Sequence, residues 1–245
     1  MTDHGTTLHG LCLVLFAVMI GHAAAKSNDF DVLIFTQRWP QTICVLWKEQ
    51  SSSNTCSLPK GNEWTIHGVW PSQYHQLGPQ FCNSSMPFDA TALRPLEKEL
   101  EEKWIDVENG RGHYSFWKHE WEKHGTCAAV LPQFNTESKY FKTGLQLLNK
   151  YEMKNVLDKA NIVPGRKYRV ADFFDAVQSA LGVRAVVRCS TREDTKESYI
   201  FEIRLCFGKT LNLMNCDGVY GYPTNCDSSV SLVYPGGVQY NAIQV

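Results

Sequence analysis

The chain has 245 residues, 43% hydrophobic and 20% charged, enough apolar material for a sizeable core and too much for disorder as the main state. Its 24 Lys and Arg nearly balance 25 Asp and Glu, giving a formal net charge of −1. That excludes a protein holding nucleic acid by bulk charge. The nine cysteines point away from the reducing cytosol.

Leu11 to Ile20 is an apolar run too short to span a bilayer. Ala23-Ala24-Ala25 follows it as a signal-peptidase-like site, although the first ten residues carry no Lys or Arg. Residues 1–25 therefore read as a signal peptide and 26–245 as the mature chain. Cleavage removes Cys12 and leaves an even set of cysteines. In an exported chain these read as disulfides, with every pairing open. No C-x-x-C occurs, which argues against structural zinc. Asn83-Ser84-Ser85 is a glycosylation sequon, and no later stretch is apolar enough for a membrane span.

Asp31 to Trp39 reads as a buried strand, and Trp64 to Trp70 as a short aromatic-rich one. Ser51 to Asn54 lies between Cys44 and Cys56 and reads as a stapled loop. The middle is helical. Leu96, Leu100 and Trp104 recur at four-residue spacing, Phe116 to His124 runs up to Gly125 as its terminator, and Ser138 to Tyr151 is amphipathic. Val170 to Leu181 is a further amphipathic helix before Gly182. Tyr199 to Phe207 then alternates with period two, with Glu202, Arg204 and Cys206 between the apolar positions. Val183–Val187 and Leu211–Cys216 are its expected neighbours. Strands around a helical middle, with no βαβ alternation and no linker, predict one α+β domain with a central sheet flanked by helices.

The chemistry concentrates in two segments, Trp64 to Pro71 and Phe116 to Cys127. On a regular helix with His119 at zero, Lys123 falls at about 40°, Glu120 at about 100° and His124 at about 140°. Two imidazoles, a carboxylate and an ammonium on one arc are costly to bury without purpose. His119-Glu120 opens like the zinc-protease H-E-x-x-H, but the next histidine, His124, is five positions on rather than four. A solvated helix face is the plainer alternative. His67 in the first segment adds a third imidazole. Together the set supplies an acid, a base and a cation for metal-free phosphodiester cleavage of RNA, where the substrate's own 2′-OH is the nucleophile. DNA lacks that group.

The strings WTIHGVWP and FWKHEWEKHGTC resemble the two active-site segments of the ribonuclease T2 family. Phe35 to Cys44 resembles the family's first-strand segment, and the cysteine pattern continues to Cys226. The resemblance implies an antiparallel-rich, disulfide-stapled fold and a secreted or lysosomal endoribonuclease that makes 2′,3′-cyclic and then 3′-phosphate ends. It implies His124 as base, His67 as acid, and Glu120 and Lys123 as transition-state groups. His119 would hold phosphate, Trp70 would stack on a base, with core packing as its alternative, and Gln37 would lie near the second base site, with a buried strand amide as its alternative. Ser72 stands where many members carry Asp, so base preference stays open. The implied disulfides are Cys44–Cys56, Cys82–Cys127, Cys189–Cys226 and Cys206–Cys216. No cofactor or metal is expected, and the expected partner is single-stranded RNA acted on by a monomer. The alternatives are a non-catalytic RNA- or partner-binding relative and a metal-dependent hydrolase.

Overall fold

The computed structural model describes residues 29–237; the expected signal peptide lies outside them. Seven strands form one sheet with β2-β1-β5-β7-β3 as its path, while β4 and β6 also pair with β5. Here β1 is Val32–Arg38, β2 Thr65–Ser72, β3 Arg166–Tyr168, β4 Val186–Thr191, β5 Ser198–Phe207, β6 Leu213–Met214 and β7 Leu232–Tyr234. Every pairing is antiparallel except β5 with β7. The observed architecture is thus the expected α+β arrangement.

All seven residues of β1 are buried, because strands flank it on both sides and helices cover its face. α1 (Pro40–Gln50) follows directly, with proline in its first turn, where the missing N–H costs nothing. The helices α2 (Glu97–Lys103), α5 (Glu137–Lys150), α6 (Met153–Lys159) and α7 (Val170–Leu181) contribute to the main core. Thr136 caps α5 by accepting from Lys139 N. Gly182 ends α7 at φ 73°, the left-handed stop expected of it. The core is rich in aromatic rings, among them Trp39, Trp64, Trp104, Trp121, Tyr140 and Phe141. All seven indole N–H groups donate a hydrogen bond, as burying so many tryptophans demands.

Three expectations shift. The strand expected at Val183–Val187 occupies Val186–Thr191, and that expected at Leu211–Cys216 shrinks to Leu213–Met214. The helix from Phe116 does not stop at Gly125. α3 (Ser115–Glu120) passes into a π turn, Trp121–Gly125, and then into α4 (Thr126–Ala128). Gly125 has φ −59°, so it is no left-handed cap. A Cβ there would lie 2.3 Å from the Trp121 ring, so glycine serves close packing. All four implied disulfides are present: Cys44–Cys56, Cys82–Cys127, Cys189–Cys226 and Cys206–Cys216.

Candidate active site

β2 presents His67 and Trp70 toward the α3–π segment that carries His119, Glu120, Lys123 and His124. The π turn is what sets the second group. Thr126 N–H bonds to Trp121 O, five residues back, inserting one residue into the helical ladder. His119 and His124 consequently bring their rings to 6.4 Å between centroids. The regular-helix expectation fails on this point, and the spacing argument against zinc loses its geometric basis. Among the described residues, the one grouping of three ligand-type side chains is Glu97, Glu101 and His113, on α2 and the loop before α3.

Trp70 joins the two segments. Its indole N–H donates to Glu120 Oε2 at 2.8 Å, and its ring lies 5.3 Å from that of His124 and 4.9 Å from that of His67. Arg204 sits 5.1 Å from the same ring. A Cβ on Gly68 would meet Glu120 Oε2 and Trp70 Nε1 at 2.1 Å each, so only glycine lets this bond form over the strand. The ring expected to stack on a base is therefore already flanked by protein groups.

The two histidines have unlike surroundings. His67 Nδ1 bonds to Glu202 Oε1, leaving Nε2 for the cleft. Glu202 is 1% exposed and is also gripped by Arg204 through Nε at 3.0 Å and Nη2 at 2.6 Å. Burial alone would raise its pKa, but His67 and Arg204 more than offset this and hold it at about 2. His124 is half-buried, and its Nδ1 has no hydrogen-bond partner among the described residues. Burial first, then Lys123, His67 and His119, pushes its pKa well below the ordinary imidazole value. Glu120, 1% exposed, is pushed up by burial against the opposing pull of His67, Trp70, Arg38 and Lys123. No carboxylate lies within ion-pair distance of the Lys123 ammonium among the described residues. His119 is exposed, and partial desolvation followed by Lys123 lowers its pKa.

A cavity of about 830 Å³ opens beside His67, His119 and Glu120. Arg38 lines it, 4.2 Å from the Phe116 ring. Gln37, the expected base-site residue, is excluded from it. It is 0% exposed, its Nε2 donates to Tyr151 O at 2.7 Å and its Oε1 accepts from Met153 N at 3.0 Å. Both ends of that amide are occupied in tying β1 to α6, so Gln37 is a structural residue. Glu202, Arg204 and Arg38 were not singled out from the sequence as site residues. The usable signal was a carboxylate and an arginine on one face of an otherwise apolar strand. Asn83 lies on a surface loop, its Oδ1 accepting from Ser85 N and Oγ. His75 is exposed and His113 pairs loosely with Glu97 and Glu101, both apart from the cluster.

Two histidines around a carboxylate and a cation with no ion-pair partner among the described residues, beside a cleft in an α+β fold, are the groups an acid–base phosphodiesterase needs. The comparisons give it a family. The Ribonuclease T2 family model matches residues 30–216. Ribonuclease Oy of Magallana gigas is 36% identical over 213 residues, 85% of this chain and 97% of that protein. Ribonuclease T2 of Homo sapiens is 36% identical over 217 residues, 86% of this chain and 80% of that one. The crystal structure of RNase NT in complex with 5′-AMP superposes with a TM-score of 0.72 at 25% identity, covering 85% of this chain and all of the other. The chain belongs to the Ribonuclease T2 family and is an endoribonuclease.

Proposed function

We propose that the enzyme cleaves single-stranded RNA without a metal, by attack of the ribose 2′-OH on its own 3′-phosphate. His124 takes the 2′-OH proton and His67 protonates the leaving 5′-oxygen. A 2′,3′-cyclic phosphate forms and is then opened by water to a 3′-phosphate, the two imidazoles exchanging roles. The observation that carries this reading is the asymmetry of the two histidines. His124, desolvated and beside Lys123, is held neutral and ready to accept a proton. His67 rests through Nδ1 on a carboxylate that is itself locked in its charged form, which fixes the ring and leaves Nε2 to face the leaving oxygen.

Lys123, with no ion-pair partner among the described residues, faces the charge that grows on the phosphoryl oxygens. Glu120 stays near it, and its raised pKa suits a carboxyl that shares a proton with a phosphoryl oxygen. His119 adds a donor at the rim for phosphate. Trp70 holds Glu120 and His124 in place, and the base of the leaving nucleotide enters the cavity beside Arg38 and Phe116. DNA, with no 2′-OH, is not cut.

The mature chain, residues 26–245, acts as a monomer in a secreted or lysosomal setting after removal of residues 1–25, with a glycan on Asn83. Four disulfides support an oxidising compartment. The test is cleavage of single-stranded RNA and matched DNA in excess EDTA, from acid to neutral pH, with end groups identified. RNA-only cleavage leaving 2′,3′-cyclic phosphate is expected. Activity that vanishes in chelator and returns with zinc would overturn the mechanism. RNA binding without cleavage would point to a non-catalytic relative.

A further inference from the structure

The cavity that begins at His67 continues along α1, and its far half takes no part in the reaction above. About 830 Å³ lies toward the upper end of the range for pockets that enclose an entire drug-sized ligand. It far exceeds what one base beside Arg38 and Phe116 would fill. Ile43, Leu46, Trp47 and Gln50 all line it, and they stand at i, i+3, i+4 and i+7 of α1. One helical stripe therefore faces the cavity, over a length of about 10 Å. Phe201 of β5 also lines this part. Trp47 and Phe201 are half-buried, and the Trp47 ring is fixed by its N–H donating to Thr55 O at 3.1 Å. The Cys44–Cys56 disulfide pins the helix beneath it.

The charges say which part of a nucleotide enters. Glu49, Asp106, Glu108 and Glu193 border the cavity, against Arg38 and Arg111. An excess of carboxylates disfavours a phosphate inside and leaves the chain's backbone on the solvent side. A base has no such penalty, and its amino groups can donate to these carboxylates. Glu49 Oε1 accepts from the backbone N–H of Glu193 and Asp194 at 2.7 and 3.0 Å. That contact joins α1 to the turn after β4 at the far end.

We infer that this half of the cavity is a subsite for the base of the second nucleotide downstream of the cleaved bond, stacked against Trp47 and Phe201. The inference rests on the proposed mechanism. His67 serves the leaving oxygen, so the chain that departs runs from His67 past Arg38 and along α1. The enzyme then prefers substrates with at least two nucleotides after the cut, and a base carrying an amino group (adenine, cytosine or guanine) over uracil at the second.

Chimeric oligonucleotides test this, each with a single ribonucleotide followed by one or two deoxynucleotides, because only the ribose can be attacked. With the native enzyme, the second downstream nucleotide should raise kcat/KM by about five-fold or more, the scale of one base stacked on an aromatic side chain. An abasic second nucleotide should lose that gain. Trp47→Ala should also lose it while cleaving the shorter substrate at the native rate. Equal rates for the two lengths, or a gain kept by the abasic substrate, would overturn the subsite. The abasic arm needs no variant, so it decides the matter even if Trp47→Ala folds poorly. Failure to cut any substrate, including all-RNA, would instead refute the catalytic reading, and the subsite with it.

Discussion

Replacing Glu202 with Gln tests the least visible part of the catalytic arrangement. The side chain keeps its shape but loses the charge that faces His67 Nδ1 and the Arg204 guanidinium. The carboxyl drops from an ordinary 4.5 to about 2 on folding, which corresponds to about 3 kcal/mol. Removing one partner of a buried pair costs about 3–5 kcal/mol, because the remaining charge is left unpaired. A destabilisation near about 3 kcal/mol is therefore expected at neutral pH, read from denaturant unfolding. The sign follows from the lowered pKa. This stability is fully present above pH 4.5 and is lost as pH falls toward 2. The gap between native and variant should narrow over that interval. The variant's kcat should fall by about ten- to a hundred-fold with a smaller change in KM, because a general acid contributes about 10²–10⁴-fold and here is misplaced rather than removed. A folded Glu202→Gln enzyme with native kcat and native stability at neutral pH would refute the argument.

His67→Phe and His124→Phe should each abolish cleavage while leaving RNA binding largely intact, as a filter-binding measurement beside the gel assay would show; persistent activity in both would remove the site assignment. The acid limb of the kcat/KM profile should lie well below pH 6.5, since His124 must be neutral and its pKa is lowered; a limb at or above that pH would contradict it. Cys127→Ala opens the bridge to Cys82 beside the π turn, and should cost roughly 2–5 kcal/mol together with activity. Normal melting and turnover would show that the bridge does not anchor the site. Glu137→Gln works in the opposite direction to Glu202. Burial raises that carboxyl from 4.5 to about 7, so native stability declines as pH rises through this interval. The amide should therefore raise neutral-pH stability by about 1–2 kcal/mol after allowance for solvent screening, with the gain fading toward pH 4.5; no difference between the two pH values would count against it.

Local signals carried much of this molecule. The two motif segments, the amphipathic helices and the period-two strand are all patterns within a dozen residues, and they found their elements. What escaped depends on register between distant segments. Glu202 meets His67 across 135 positions, because β1 pairs with β2 on one side and β5 on the other. No spacing in the chain announces that. For Gln37 the sequence left a base-site role and a buried strand amide open, and the structure gives the second, for a related reason. Adjacent strand residues face opposite sides, so a one-residue error moves a side chain from cleft to core, and a register shift between Thr36 and Gln37 adds to the ambiguity. Arg38 lines the cavity and Gln37 does not.

The π turn connects these observations. A continuous α-helix would place His119 and His124 about 140° apart, with Lys123 turned from one of them. One inserted residue instead brings the two imidazole rings to 6.4 Å between centroids, while Trp121 is buried at 1% exposure. The insertion weakens the local helical ladder. It is held by the Trp121 N–H bond to Met86 O, by Phe81 N–H bonding to Lys123 O, and by the Cys82–Cys127 bridge. The same clamp holds His124 desolvated beside Lys123, which lowers its pKa and suits the proposed role as base. Its counterpart His67 lies on the sheet, its Nδ1 bonded to the buried Glu202 carboxylate, which fixes the ring for the proposed acid role. In the proposed mechanism, two chemically identical side chains thus take opposite roles from their supports, one from a π turn and the other from strand pairing.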